Sequence, residues 1–176
     1  RKQTAALAGE LDRRLVALIN DDPPVQGQPM TGRQKAALRM KSDEDVVLAR
    51  QLIDEGGDYQ RAIEIYKEDL AVDPGNPRLA AELAKAQGRR YMARDAFAQL
   101  KKGMSQDEVR GLLGAPNPHS VRDYPDRGVV GWFYPKDASG AAAAVWFAKS
   151  DGRYAVYLAD FDAIKPPAAA PAQPAT

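Results

Sequence analysis

Residues 102–116 read K-G-M-S-Q-D-E-V-R-G-L-L-G-A-P, a run dense in helix start and stop signals. Ser105 is placed to cap a helix, and Glu108, three residues on, can reach back to close a capping box. Gly103 reads as the end of the preceding helix and Gly114 as the end of this one. Pro116 keeps the chain from re-entering it. The spacing predicts one short helix over 106–113. Its glycines, serine and proline are punctuation, so the stretch identifies a fold better than a site.

Upstream of it the chain reads as helical. Leu7, Leu11, Leu15 and Leu18 form one apolar stripe over residues 3–20. A second helical piece is expected from Thr31 to Met40. A third would open at Ser42 with Asp45 and stop at Gly56-Gly57. Asp58 caps the next helix, to Val72. Asn76 caps one that starts at Pro77 and runs to about Leu100.

Downstream the period changes. Val129-Val130-Gly131-Trp132-Phe133-Tyr134 is β-branched and aromatic, and Tyr154 to Leu158 alternates. Ala142 to Phe147 is alanine-rich, which favours helix, but turn signals at Ser139-Gly140 and Ser150-Asp151-Gly152 frame it as a strand. Three strands are expected, over 129–135, 142–149 and 153–161. Residues 117–128, rich in proline and charge, read as a connection. The tail 165–176 has nothing to bury and is expected to be disordered or polyproline-like.

Two resemblances attach to these segments. Residues 95–164, through G-M-S-x-x-x-V-x-x-L-L-G-x-P and the aromatic strands, resemble the SmpA/OmlA (BamE-like) outer-membrane lipoprotein family. That implies two helices on a three-stranded antiparallel sheet. Residues 43–76 resemble a single tetratricopeptide repeat (TPR), carried by Ala62, Tyr66, Leu70, Asp73-Pro74 and Asp58-Tyr59. Ala49 and Arg50 depart from its first helix. One repeat cannot bury its own faces, so it is expected to pack on the neighbouring helices. The fold class is therefore α+β: a TPR-like helical domain over 1–94, a BamE-like module over 95–164, and the tail.

Lys+Arg 25 nearly balances Asp+Glu 24, and a net charge of +1 argues against general nucleic-acid binding. There is no Cys and one His, so disulfides, thiolate metal sites, Cys nucleophiles and multi-His zinc sites are excluded within this sequence. No run reaches the 18 apolar residues of a membrane span. The chain starts at Arg1, so it reads as a fragment or processed form, with any signal peptide or lipid-bearing cysteine upstream. No nucleophile elbow, phosphate loop or Ca²⁺ loop occurs, and Ser120 beside His119 makes no triad by adjacency. No catalytic residue, cofactor or metal is expected.

Candidate partner-binding residues fall in two groups. Arg78, Lys85 and Arg89 lie at i, i+7 and i+11, one narrow basic stripe. By the repeat resemblance it would line a concave peptide-binding side; otherwise it is a solvated helix face. Trp132 and Tyr134 share one strand face, with Phe133 on the other, and Trp146 and Phe147 split likewise. Which aromatics pack in the core and which form a contact patch stays open. The resemblance implies a non-enzymatic periplasmic adaptor, usually anchored by lipid to the outer membrane. It would support outer-membrane protein assembly or envelope integrity by docking other envelope proteins. Two alternatives are a peptide-binding module using the basic stripe, and an inhibitor of a secreted enzyme, since a known β-lactamase inhibitor fold is similar to the sheet module.

Overall fold

The computed structural model describes residues 2–166 apart from Pro24 and Gln26; the expected disorder of the tail beyond Pro166 and the side chains of Leu7 and Leu11 lie outside the described residues. The fold is α+β. Six α-helices among the described residues are followed by a four-stranded antiparallel sheet of order β1-β2-β3-β4. The chain forms two compact units: residues 1–52 with 60–86, and residues 53–59 with 87–176.

The first unit is helical. It holds α1 (Lys2–Asp21) and most of α2 (Gly32–Gly56), α3 (Tyr59–Val72) and α4 (Pro77–Arg89). The two helices expected over 31–56 are one continuous helix. Its start is a complete capping box: the Gln34 amide donates to Thr31 Oγ1 at 3.1 Å, and the Thr31 amide to Gln34 Oε1 at 2.9 Å. Ser42 is therefore not a cap. It sits buried inside the helix, where strong helix formers on either side outweigh a weak capping signal. Asn76 does cap α4, its side-chain oxygen accepting from the amides of Arg78 and Leu79. Ala49, Ala62 and Tyr66 have no exposed surface, and Val46 and Leu79 almost none. Small residues on α2 and α3 leave room for the tyrosine to fill the interior.

One polar cluster lies among these helices. Lys41 Nζ is 2.6 Å from Asp45 Oδ1, and Asp69 Oδ2 is buried with no hydrogen-bond partner. Burial first, then the charge of Asp45 and a hydrogen bond with it, push the Asp69 carboxyl up to about 7; Lys41 opposes and Glu68 adds to the shift.

The second unit holds the sheet: β1 (Val121–Tyr124), β2 (Val129–Pro135), β3 (Ala142–Ser150) and β4 (Arg153–Ile164), with α5 (Arg94–Phe97) and α6 (Gln106–Leu113). The sheet has four strands rather than the three expected. β1 arises in the supposed connection because Gly128, at φ 61°, turns the chain so that Val121 to Tyr124 pairs with β2. Pro118 and Pro125 open 3-10 turns on either side of it instead of interrupting it. The single helix expected over 77–100 also breaks. α4 stops at Arg89, and the Met92 amide instead donates to the Pro135 carbonyl at 2.8 Å. That tertiary bond wins over a sequence run with good helix propensity.

The motif is seated as helix punctuation on one side only. Ser105 and Glu108 form the capping box of α6, and Gly114 ends it. Gly103, at φ 89°, does not end a helix; it turns the chain onto the sheet. Its amide donates to the Val156 carbonyl, and the Val156 amide to the Met104 carbonyl, both at 2.8 Å. The core gathers Phe97 and Val109 from the helices with Val130, Trp132, Tyr134, Val145, Phe147 and Val156 from the strands. A cap is worth about 1 kcal/mol, whereas each large buried apolar side chain is worth about 1.5–3 kcal/mol. The core, not the punctuation, holds the unit together.

Candidate functional site

Strand alternation gives the sheet a second face, away from this core. In β2 the odd-numbered residues Val129, Gly131 and Phe133 lie on it, and the register sets Gly131 opposite Trp146 and Phe133 opposite Ala144. Gly131 is what shapes this face. A β-carbon there would sit 3.2 Å from both the Phe133 ring and the Trp146 indole. Without one, the two rings close over the backbone edge to face, centroids 5.9 Å apart and planes at 82°. Leu158, opposite Trp146 on β4, is 45% exposed and Ile164, opposite Ala142, is 41% exposed. A β-bulge between the Trp146–Leu158 and Phe147–Val156 pairs leaves Tyr157 as an extra, exposed residue.

A groove of about 290 Å³ lies on this face. Phe133, Pro135, Ala142 and Ile164 make its apolar lining, and His119, Ser120 and Arg122 its polar wall. Arg122 is planted: its Nη1 donates to the carbonyls of His119 at 3.0 Å and Val121 at 3.3 Å. The 3-10 turn that carries His119 is itself capped by Asn117, whose side chain accepts from the His119 amide at 3.0 Å.

The structure sorts the aromatic candidates. Trp132 and Tyr134 are buried core residues, 4% and 5% exposed, so they present no contact surface. Trp132 packs on Phe147 with ring centroids 4.6 Å apart, and the Tyr134 hydroxyl donates to the Gly114 carbonyl at 3.1 Å. Burial raises the Tyr134 phenol well above its ordinary range, with Arg110 opposing. The reason is register: both residues share the parity of Val130, on the face that meets Phe97 and Val109. Trp146 alone of the three belongs to the outer face, half-buried against Phe133.

Arg78, Lys85 and Arg89 all lie on α4. Arg78 is exposed and ion-paired with Asp43. Glu82, one turn on, takes two hydrogen bonds from Arg50, at 2.6 and 3.2 Å. Those bonds hold its carboxyl below the usual range against a burial effect, and the charges of Arg50, Lys85 and Arg78 add to this. Carboxylates thus offset the positive charge of Arg78 and Lys85. Arg89 belongs to the sheet-bearing unit, where it partly offsets the burial-driven rise of the Tyr59 phenol; Asp54 adds to that rise.

Arg122, Gly131, Phe133, Leu158 and Ile164 are the outer-face residues that the sequence reading did not single out. For Phe133 the period of two set it apart from Trp132 and Tyr134 without telling which face turns outward. For Arg122 it was not, because β1 is only four residues long and three of them are exposed. Among the described residues no group of three or more His, Cys, Asp or Glu is placed to hold a metal ion, and no helix is long and apolar enough to cross a membrane. No protein-family model, curated protein or solved structure matches the chain.

Proposed function

We propose that this chain is a non-enzymatic adaptor of the bacterial cell envelope, which pairs a TPR-like helical unit with a BamE-like sheet module and acts by docking other envelope proteins. The observation that carries the reading is the Phe133–Trp146 pair laid over Gly131 on the outer sheet face, beside exposed Leu158 and Ile164. A contiguous exposed apolar patch rimmed by polar residues is a mark of an interaction site, and aromatic residues are enriched at interface cores. The aromatic pair supplies rigid contact area at small entropic cost, as binding hot spots do. The buried Ala62 and Tyr66 and the repeat-like turn at Asp73-Pro74 support the helical half of the reading.

Site-specific photo-cross-linking tests this. A photo-reactive phenylalanine analogue replaces Trp146 in cells of a Gram-negative bacterium, and in a matched control it replaces exposed Asp107 on α6. The expected result is discrete adducts with periplasmic or outer-membrane proteins at position 146 and not at 107. No adducts at 146, or the same adducts at both positions, would reject the reading.

A further inference from the structure

We propose that the groove beside Arg122 binds an extended protein segment that presents a carboxylate next to an aliphatic or aromatic side chain. The inference rests on the docking reading above and deepens it by naming the chemistry of the partner.

Three observations converge. The first is charge. Among the described residues, Arg122 is the one Lys or Arg in the groove lining. Arg122 makes no ion pair among the described residues, and its two hydrogen bonds go to backbone carbonyls, which leave its charge uncompensated. Its neighbour Asp123 has the opposite parity in β1 and belongs to the other face. The groove lining contains no Asp or Glu. A guanidinium already fixed through one nitrogen, with donors remaining in a planar fork, complements a carboxylate geometrically as well as electrically.

The second is size and polarity. Small-molecule and cofactor sites usually enclose about 300–1,000 Å³. This groove, at about 290 Å³, lies just below that range and is open to solvent. Its lining of Phe133, Pro135, Ala142 and the exposed Ile164 suits one large apolar side chain rather than a cofactor. The third is the sheet edge. β1 is a terminal strand, so among the described residues the side of Arg122's own strand away from β2 pairs with no strand. An extended segment laid along that edge can take backbone hydrogen bonds there while alternate side chains drop onto the outer face. Carboxylate, apolar side chain and extended backbone then meet Arg122, the groove and the β1 edge in one pass.

The test is a random peptide-display selection against the full chain, followed by anisotropy titration of the most enriched synthetic peptide. Enriched peptides are expected to carry Asp or Glu within two positions of Leu, Ile, Val or Phe. Affinity is expected to fall by about tenfold or more in Arg122→Gln, as loss of a charge-assisted contact implies. Ile164→Asp should weaken binding to a similar extent, and Arg14→Gln should leave it unchanged. Circular dichroism of each variant separates lost binding from lost fold. Selections without enrichment, enriched peptides without an acidic preference, or equal affinity for Arg122→Gln would overturn the proposal. So would binding of anionic phospholipid vesicles that Arg122→Gln abolishes while peptide binding persists. If the position-146 cross-links persist in Arg122→Gln and the selection shows no acidic preference, the docking face stands and the carboxylate chemistry falls. Absence of those cross-links in the otherwise unaltered chain is instead the failure of the docking reading itself.

Discussion

Gly57 lies so close to Ala115 that a β-carbon on it would sit 2.2 Å from the Ala115 carbonyl oxygen. The same added atom would be 2.9 Å from the Asn117 amide nitrogen, and Gly57 holds φ at +56°. The turn that closes α2 is thus pressed against the L-G-A-P segment that closes α6. Both conformation and space require glycine here. Gly57→Ala is expected to destabilise the sheet-bearing unit by about 3 kcal/mol or more, combining a left-handed alanine with a backbone overlap. Urea denaturation measures it. A loss below about 1 kcal/mol would mean the two segments are not seated against each other.

Ser105→Ala removes the acceptor for the Glu108 amide at 3.2 Å and leaves the first turn of α6 with an unmet donor. The expected cost is about 1 kcal/mol. Ser105→Asp should recover most of it, because a carboxylate accepts the same bond at the positive end of the helix. Equal stability of the alanine and aspartate variants would show that the cap carries no weight.

Trp146 and Phe147 are adjacent in sequence and opposite in consequence. Phe147 has no exposed surface and sits in the core against Trp132. Phe147→Ala is expected to cost about 3–5 kcal/mol through transfer and cavity effects. Trp146→Ala, on the outer face, should cost less than about 2 kcal/mol and instead remove partner cross-linking from a probe placed at Leu158. Thermal melts of the two variants give the comparison, and similar losses would contradict the face assignment.

Asp69 makes the helical unit sensitive to pH. Its folded-state value of about 7 lies well above the ordinary Asp range near 4. A raised carboxyl contributes stability that is complete below the unfolded value and is lost as pH rises through the folded one. The urea midpoint of the helical unit should therefore be higher at pH 5.5 than at pH 8. The carboxyls of Glu82, Glu108, Asp137 and Asp162 are shifted down and stay ionised throughout this window. Asp69→Asn, which carries hydrogens without titrating, should flatten the dependence. A midpoint that rises from pH 5.5 to pH 8 would reverse the assignment.

Much of the architecture was legible in the residues, and the failures have physical causes. The capping box at Ser105, the cap at Asn76 and the β3–β4 hairpin at Asp151-Gly152 are local devices, and local chemistry announces them. The break after Arg89 is not local: it depends on a bond from Met92 to Pro135, 43 residues away, that no window of sequence contains. β1 escaped because four residues, V-R-D-Y, carry too little alternation to register, and because its neighbouring prolines build turns instead of barring a strand. The aromatic sorting followed from parity alone once a single core contact was known. The outer-face groove could not be read at all, since Arg122, Phe133 and Ile164 come together only through the pairing of four strands.

The paired bonds between Gly103, Met104 and Val156 bear on how the sheet meets other chains. β4 is a terminal strand of twelve residues, long enough to template unwanted growth. The loop before α6 clips across its outer side at Val156, and the bulge at Tyr157 bends the ladder immediately beyond. Together they divide one long sticky border into stretches too short and too twisted to recruit a like strand. The loop at Gly103 and Met104 thereby covers part of the β4 border, on the opposite side of the sheet from β1.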